Sequence, residues 1–464
     1  VPSRTPDATR GVPPRRATAE FWPALAAVAI VAFLCTAYFP GALSFDAAYQ
    51  WWQARSGETS DIQAPGLMLL FRLVEPVWPG PAMPFLIHLT LFAAGLWLIA
   101  GAATRRRLPA MALVLVTGLA PMSVALLGHV WSDVGLLAAL VFTAGALLRH
   151  ARDGGRGWLI AAAFAAAYAA LCRHNAAPAL LPLALYATWI HARRAGRARF
   201  VPLGLAVFAV LTAGAGLATR LLAREHYSAL PGLALWDLAA ISVETRELVM
   251  PLDTIGPGLS VEELDVAYVP WANVPLFERT RSGVRNPYAV PWPEADIVAL
   301  RRAWAGAVIA HPGAWLRHRL RVTAALLGNR DPAWPEMLSF VDAETGYRDN
   351  PPVELNHGAV HGAVMAILRD WRCGPLLAPW PYLLIGLLAL PVAWHRCRSP
   401  VGALALTLIA SAFLYAAPLP VIAPSAELRY LGWSCVACLL GAGLALTVKA
   451  EPAAPRYATP RPLP

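Results

Sequence analysis

Four short polar clusters interrupt an otherwise apolar chain, each at the edge of an apolar run. Asp46 and Asp61 follow the first run. The segment Gly-His-Val-Trp-Ser-Asp carries His129, Ser132 and Asp133, and Cys-Arg-His-Asn carries Arg173, His174 and Asn175. Near the C-terminus, Ser-Ala-Glu-Leu-Arg-Tyr carries Glu427, Arg429 and Tyr430. A long segment before this last cluster adds Asp237. Carboxylates and guanidinium groups together suit a transfer reaction. A carboxylate takes the proton of an attacking hydroxyl, and an arginine holds a phosphate through two parallel hydrogen bonds. If the donor is a sugar bonded to a lipid phosphate, Asp46 is the candidate base, with Asp133 and Asp61 as the other candidate catalytic carboxylates. Arg173 and Arg429 would then stabilise charge developing on the phosphate. A neutral His129 or His174 could donate to the same group. Asn175, Glu427 and Tyr430 complete the candidate substrate-binding set.

Each residue alone also has a plain structural role. An arginine at the end of a span anchors it by snorkelling. A histidine at an interface is commonly a solvated loop residue. Asp133 could cap the helix that follows it. A shared position on one side of the membrane is what favours a site over a set of anchors.

The elements that would hold these residues are membrane helices. The 464 residues are 58% hydrophobic and their mean hydropathy is +0.51. Several runs approach the roughly 20 apolar residues needed to cross a bilayer, and only helices or closed barrels satisfy their backbone there. The sequence predicts an all-α polytopic protein with ten spans, near 21–39, 84–103, 108–127, 134–148, 158–172, 176–190, 201–222, 378–394, 401–418 and 429–448. With both termini in the cytoplasm, the inner segments hold 19 of the 38 Lys and Arg residues, and 24 of the 28 carboxylates fall outside. This asymmetry sets the orientation and explains the net charge of +10 without nucleic acid. Residues 1–20 read as a disordered cytoplasmic tail, the next run as a retained first span, and 449–464 as a second cytoplasmic tail. The six cysteines show no disulfide spacing, and Cys435 and Cys438 within one span are expected to pack rather than bind metal.

Two outer segments depart from short turns. The loop 40–83 places Phe45, Ala48, Trp52 and Arg55, then Pro65, Leu69, Leu70 and Leu73, at helical spacing, which predicts two helices lying on the membrane surface. The segment 223–377 is long enough to form a mixed domain. It is expected to hold a helix over 231–249, irregular chain to Pro293, a helix pair over 295–327 broken at His311-Pro312, and a surface helix over 361–370.

In layout and in letters the chain resembles the GT-C superfamily of polyprenyl-phosphate-sugar-dependent membrane glycosyltransferases. Its closer resemblance is to an uncharacterised bacterial subgroup. The matching segments are Gly41-Ala-Leu-Ser-Phe-Asp-Ala-Ala-Tyr-Gln50, Ser60-Asp-Ile-Gln-Ala-Pro65, Ser132-Asp133, Arg173-His-Asn175, His311-Pro-Gly-Ala-Trp-Leu316 and Glu427-Leu-Arg-Tyr430. The resemblance implies a catalytic base at Asp46 and lipid-phosphate contacts at Arg173 and Arg429. It also implies a bacterial plasma-membrane location, with the polyprenyl-linked sugar and the bilayer as partners. No cofactor is required, although some of the superfamily use a divalent metal, which Asp46 with Asp133 or Asp61 could hold. Two departures bear on donor binding: Gln63 and Ala64 stand where the subgroup tends to have His and Pro, and Ser132 replaces a Lys.

Two other functions suit a polytopic chain. A transporter or lipid flippase tends to show related halves and charges at the membrane midplane, and neither is evident here. A non-catalytic scaffold would use the outer domain to bind a partner. Membrane hydrolases lose support because Gly-x-Ser-x-Gly and His-Glu-x-x-His are both absent.

Overall fold

The computed structural model describes residues 14–195, 200–251, 258–280, 283–330 and 345–447. Among these the secondary structure is helical, with only isolated bridges between extended residues. The first half comprises α1 (Pro14–Tyr38), α2 (Phe45–Ser56), α3 (Gly66–Val74), α4 (Ala82–Ala103), α5 (Arg107–Gly118), α6 (Pro121–Leu127), α7 (Ser132–Asp153), α8 (Arg156–Cys172), α9 (Ala177–Ala195) and α10 (Phe200–Leu222). The segment expected to form an outer domain, called the outer domain below, holds α11 (Leu230–Thr245), α12 (Val261–Ala267), α13 (Val274–Arg279), α14 (Glu294–Ala310), α15 (Pro312–Leu326) and α16 (Ala359–Asp370). The chain closes with α17 (Pro379–Arg396), α18 (Pro400–Ala416), α19 (Leu419–Ile422), a 3-10 turn (Leu428–Leu431) and α20 (Gly432–Thr447).

Every apolar run singled out in the sequence is helical. Among the described residues six stretches are long and apolar enough to cross a membrane, which makes this a membrane protein: Glu20–Tyr38, Ala82–Ala103, Ser132–Asp153, Phe200–Leu222, Pro400–Ile422 and Leu428–Thr447. The expected third span is broken: α5 and α6 meet at a 56° bend and make a seventh only if taken together. Pro121 opens α6, and a proline lacks the N–H that a continuous helix would need there. α8 is a shorter apolar helix, and the expected count of ten includes α8, α9 and α17 beyond these seven. α1 begins inside the stretch read as a disordered tail, while residues 1–13 and the second tail lie outside the described residues.

α7 is the axis of the bundle, packed against α4 on one side and α8 on another. Small residues permit the α4–α7 approach: a Cβ on Gly95 would come within 2.6 Å of the Phe142 backbone nitrogen, and one on Gly145 within 2.7 Å of the Gly95 carbonyl. α17, α18 and α20 form a second packed group. The 22 residues of α7 run about 33 Å at 1.5 Å per residue, enough to join two faces of a bilayer. At its C-terminal end Arg149 donates to Glu20 at 2.7 Å. At its N-terminal end stands Asp133.

The loop between α1 and α4 contains the two short helices expected, α2 and α3. Leu73 and Val77 are exposed beside them, as an interfacial segment requires. The outer domain has its own apolar core, which includes Leu235, Leu238, Ile241, Leu264, Leu276 and Leu300. The expected helix pair is present, and α14 ends at His311. Arg317 and Arg321 both reach Glu244 on α11, at 3.0 and 3.6 Å. The stretch expected to be irregular contains α12 and α13. Residues 331–344, between the helix pair and α16, lie outside the described residues. The six cysteines are free.

Candidate active site

Asp46 reaches the centre of the molecule through a sharp corner. Gly41 has φ of +97°, a conformation that side chains disfavour, and a Cβ there would lie 2.9 Å from Phe85. The corner turns α1 into α2 and sets Asp46 in the first turn of α2. Two backbone hydrogen bonds then tie this corner to the segment before α7: Ala42 N donates to Gly128 O at 3.0 Å, and Val130 N to Ala42 O at 2.9 Å. Gln50 Nε2 donates to Ser132 Oγ at 3.0 Å and locks α2 to the start of α7. Ser132, a departure from the resemblance, is thus the docking point for Gln50. Asp133 also lies in a first helical turn, so the partial positive charge of a helix N-terminus acts on both carboxylates.

Asp133 does not cap α7. Its Oδ2 lies 3.4 Å from Arg173 NH1 and 3.9 Å from Arg429 NH1, and its Oδ1 is buried without a hydrogen-bond partner among the described residues. Arg173 sits just past the C-terminus of α8. Burial works against its charge, yet the Asp133 carboxylate outweighs that and raises its pKa.

Arg429 joins the two aspartates. It occupies the 3-10 turn ahead of α20, and its NH2 donates to Asp46 Oδ2 at 2.7 Å. Its Nε lies 2.5 Å from Glu427 Oε2, an ionic contact whose angle does not make a hydrogen bond. The guanidinium also faces two rings, Trp131 at 5.1 Å and Tyr430 at 5.5 Å. Arg173 lies 5.3 Å from the same Tyr430 ring. Tyr430 Oη is 3.1 Å from Ser425 Oγ, which donates to Glu427 Oε1 at 2.9 Å. Asp46, Asp133, Arg173, Glu427, Arg429 and Tyr430 therefore form one contiguous cluster, although 383 positions separate Asp46 from Arg429.

The two aspartates are not equivalent. The Asp133 side chain is 5% exposed and is enclosed by arginine; that of Asp46 is 32% exposed. Of the two aspartates, Asp46 is the one open to a substrate from outside; the Glu427 side chain, 36% exposed, is open as well.

The remaining expected residues lie elsewhere. His129 is buried one layer behind the cluster, its Nδ1 3.0 Å from Ala125 O and its ring stacked 3.8 Å from Trp131. It supports the ring that Arg429 faces, and that packing keeps it from a bound phosphate. Asp61 is not part of the Asp46–Asp133 group. Its Oδ2 meets His226 Nδ1 at 2.8 Å and its Oδ1 accepts from Tyr227 N at 2.6 Å, so it braces the chain after α10. His174, at the edge, has a pKa lowered by its surroundings and by Arg173, with Asp61 opposing. Asn175 turns toward Tyr415 of α18. Asp237 belongs to a separate network inside the outer domain.

Sequence reading missed three groups. Arg330, just after α15, donates to Ala426 O and feels the Glu427 charge; burial lowers its pKa. Tyr288 lies over the cluster from the outer domain. Burial first, then the Asp46 and Glu427 charges, push its pKa up to about 12, so it is a neutral phenol and accepts from Asn273 Nδ2 at 2.7 Å. Ser425 is the third. Arg330 and Tyr288 stand away from any span edge, and Ser425, though it opens the last span-edge segment, is uncharged, which is why charge at span ends did not reveal them.

Three carboxylates, Asp46, Asp133 and Glu427, are balanced here by Arg173, Arg429 and Arg330. The cation between Asp46 and Asp133 is Arg429 itself. Among the described residues no group of three or more His, Cys, Asp or Glu side chains is arranged to hold a metal. The residues present do not fit the divalent ion considered above, since it would have to displace a guanidinium.

The chain is similar to crystal structures of ArnT from Cupriavidus metallidurans in the apo state and bound to undecaprenyl phosphate. The likeness covers 92% of this chain and 78% and 77% of those chains, at 16% and 15% identity and a TM-score of 0.31 in both cases. No protein-family model and no curated protein matches the chain. A likeness of this grade assigns no activity.

Proposed function

We propose that the chain is a membrane glycosyltransferase. It would move a sugar from a polyprenyl-phosphate donor to an envelope acceptor at the outer face of a bacterial plasma membrane. One observation carries this reading: Arg429 bridges a half-open Asp46 and a buried Asp133 that also holds Arg173. In this reading the acceptor hydroxyl enters beside Asp46, which takes its proton as the oxygen bonds to the sugar's anomeric carbon. The bond from that carbon to the phosphate oxygen breaks, and the lipid phosphate leaves with the electron pair. Arg429 NH1, 3.9 Å from Asp133 and so beyond hydrogen-bond distance, is the nitrogen that would meet a phosphate oxygen. Arg173 supplies a second charge across the same site. Asp133 orients both arginines and does not touch substrate. Preorganised charge of this kind acts most strongly where water is excluded.

Binding is the first test. Purified protein in detergent should bind undecaprenyl phosphate, and Arg173→Met and Arg429→Met should each weaken it at least tenfold. A panel of polyprenyl-phosphate sugars offered in liposomes should then reveal transfer. Equal binding by wild type and both variants would remove the arginines from the proposal. Lipid movement across vesicles without any sugar transfer would favour the flippase instead.

A further inference from the structure

The outer domain contains a second buried ionic cluster. Asp237 on α11 is 1% exposed. Its Oδ2 accepts from Trp304 Nε1 at 2.8 Å and from Trp315 Nε1 at 3.1 Å. Its Oδ1 lies 2.6 Å from Arg319 NH2 and 3.3 Å from His318 Nε2. His318 Nδ1 is 2.9 Å from Tyr268 Oη. Burial raises the Asp237 pKa, but contact with His318 and Arg319 outweighs it and the net shift is downward. The carboxylate is charged, and Arg319 is its counterion.

Arg319 also reaches out of the domain. Its NH1 donates to the carbonyl of Ala423 at 3.0 Å. Ala423 is the C-cap of α19, and the chain running on from it carries Ser425, Glu427 and Arg429. The outer domain takes hold of this strip twice more. Ala426 N donates to Trp271 O at 2.7 Å, and Arg330 donates to Ala426 O. Stability alone accounts poorly for such an arrangement, because a well-packed apolar group of similar volume often replaces a buried ion pair without loss. An apolar side chain at position 319 could fill the space, but it could not fix a carbonyl outside the domain.

We infer that Asp237 and Arg319 are positioning residues: held by its carboxylate partner, the Arg319 guanidinium fixes the backbone at Ala423 and so sets where Glu427 and Arg429 stand relative to Asp46. The path runs by contact from Asp237 through Arg319 to Ala423, along the backbone to Ser425, and by contact again through Glu427 to Arg429. The outer domain therefore tunes anion binding at the cluster without touching the ligand. The affinity part of this inference rests on the proposed lipid-phosphate role of Arg429, and the backbone part does not.

The test compares Arg319→Met with Leu264→Ala, a cavity in the same domain's core away from the path. Three readouts are taken on the full chain in detergent: thermal midpoint, hydrogen exchange of the amides of Ala426 and Tyr430, and affinity for undecaprenyl phosphate. Arg319→Met should speed exchange at both amides at least tenfold and weaken binding at least tenfold. Leu264→Ala should lower the midpoint but leave exchange and affinity within twofold. Arg319→Lys should keep the partner of Asp237 yet lose the Ala423 contact, giving fast exchange with a nearly unchanged midpoint. If Arg319→Met does not fold, Asp237→Asn carries the same readouts. Unchanged exchange in the Arg319 and Asp237 variants, or equal effects from Leu264→Ala, would overturn the inference. If wild type fails to bind undecaprenyl phosphate, the lipid-phosphate reading fails, and the exchange result still decides the linkage.

Discussion

At the scale of single residues, the site depends on groups that cannot be exchanged for others of the same charge. Arg429 serves Asp46, Glu427 and Asp133 through different nitrogens, which an ammonium cannot do. Arg429→Met should leave buried Asp133 with Arg173 as its remaining ionic partner at the cluster. Removing one partner of a buried pair costs about 3–5 kcal/mol, so the thermal midpoint in detergent should fall clearly. A variant that melts with wild type would show the pair to be energetically idle. His318 makes a second prediction. Burial, together with the charges of Arg319 and Arg321, keeps its folded pKa below the ordinary value despite Asp237. The unfolded chain then takes up a proton near pH 6.5 that the folded domain refuses. Stability should fall as pH drops below about 6.5, by up to about 1.4 kcal/mol per unit until the folded ring titrates. Asp237 has a lowered pKa too, and adds a further loss once pH falls below about 4. In His318→Gln the first phase should shrink to the part contributed by His174, whose folded pKa is also lowered, while the acid-most phase remains. A first phase of undiminished size would assign it to another group.

At the scale of elements, the sequence was readable wherever apolar period and span-edge polarity speak together. α2 and α3 followed from helical spacing, and α14 and α15 from the break at His311-Pro312. The residues that gather at the cluster were visible because each stands at a span edge. Pairings across the fold were not visible. Whether Asp61 faces Asp46 or His226 depends on how the loop after α2 meets the chain after α10, and no local signal encodes it. His129 has the same residue type as a ligand and differs only in lying beneath Trp131. The α5–α6 bend did have a signal, Pro121, which the unbroken apolar run outweighed. The corner at Gly41 gives this scale its own test. Gly41→Ala forces a side chain into a left-handed conformation and against Phe85. Strain of this kind costs roughly 1–3 kcal/mol. Because the corner carries Asp46, activity should drop further than the loss of folded protein explains. A decline that tracks folded protein alone would mean the corner has no part in aiming Asp46.

At the scale of the whole molecule, the two ends of α7 differ in chemistry. One end gathers the mixed acidic and basic cluster under the outer domain. The other ends in Arg149, Arg152 and Glu20, and Arg152 donates to the carbonyl of Gly101, shortly before Arg105, Arg106 and Arg107. This asymmetry is the basis of the orientation expected from the sequence. In a cysteine-free background, Asp349→Cys should react with a membrane-impermeant thiol reagent on intact cells, and Arg156→Cys should react only after permeabilisation. The reverse pattern would put the cluster in the cytoplasm and end the envelope reading. The account as a whole turns on Asp46 as the group that meets the acceptor. The most direct measurement is sugar transfer by purified Asp46→Asn in liposomes, alongside wild type, with undecaprenyl phosphate binding measured on the same samples. General-base removal predicts a rate at least about 100-fold lower, with the fold intact and the lipid phosphate still bound. Transfer at the wild-type rate by a well-folded Asp46→Asn protein would contradict the account.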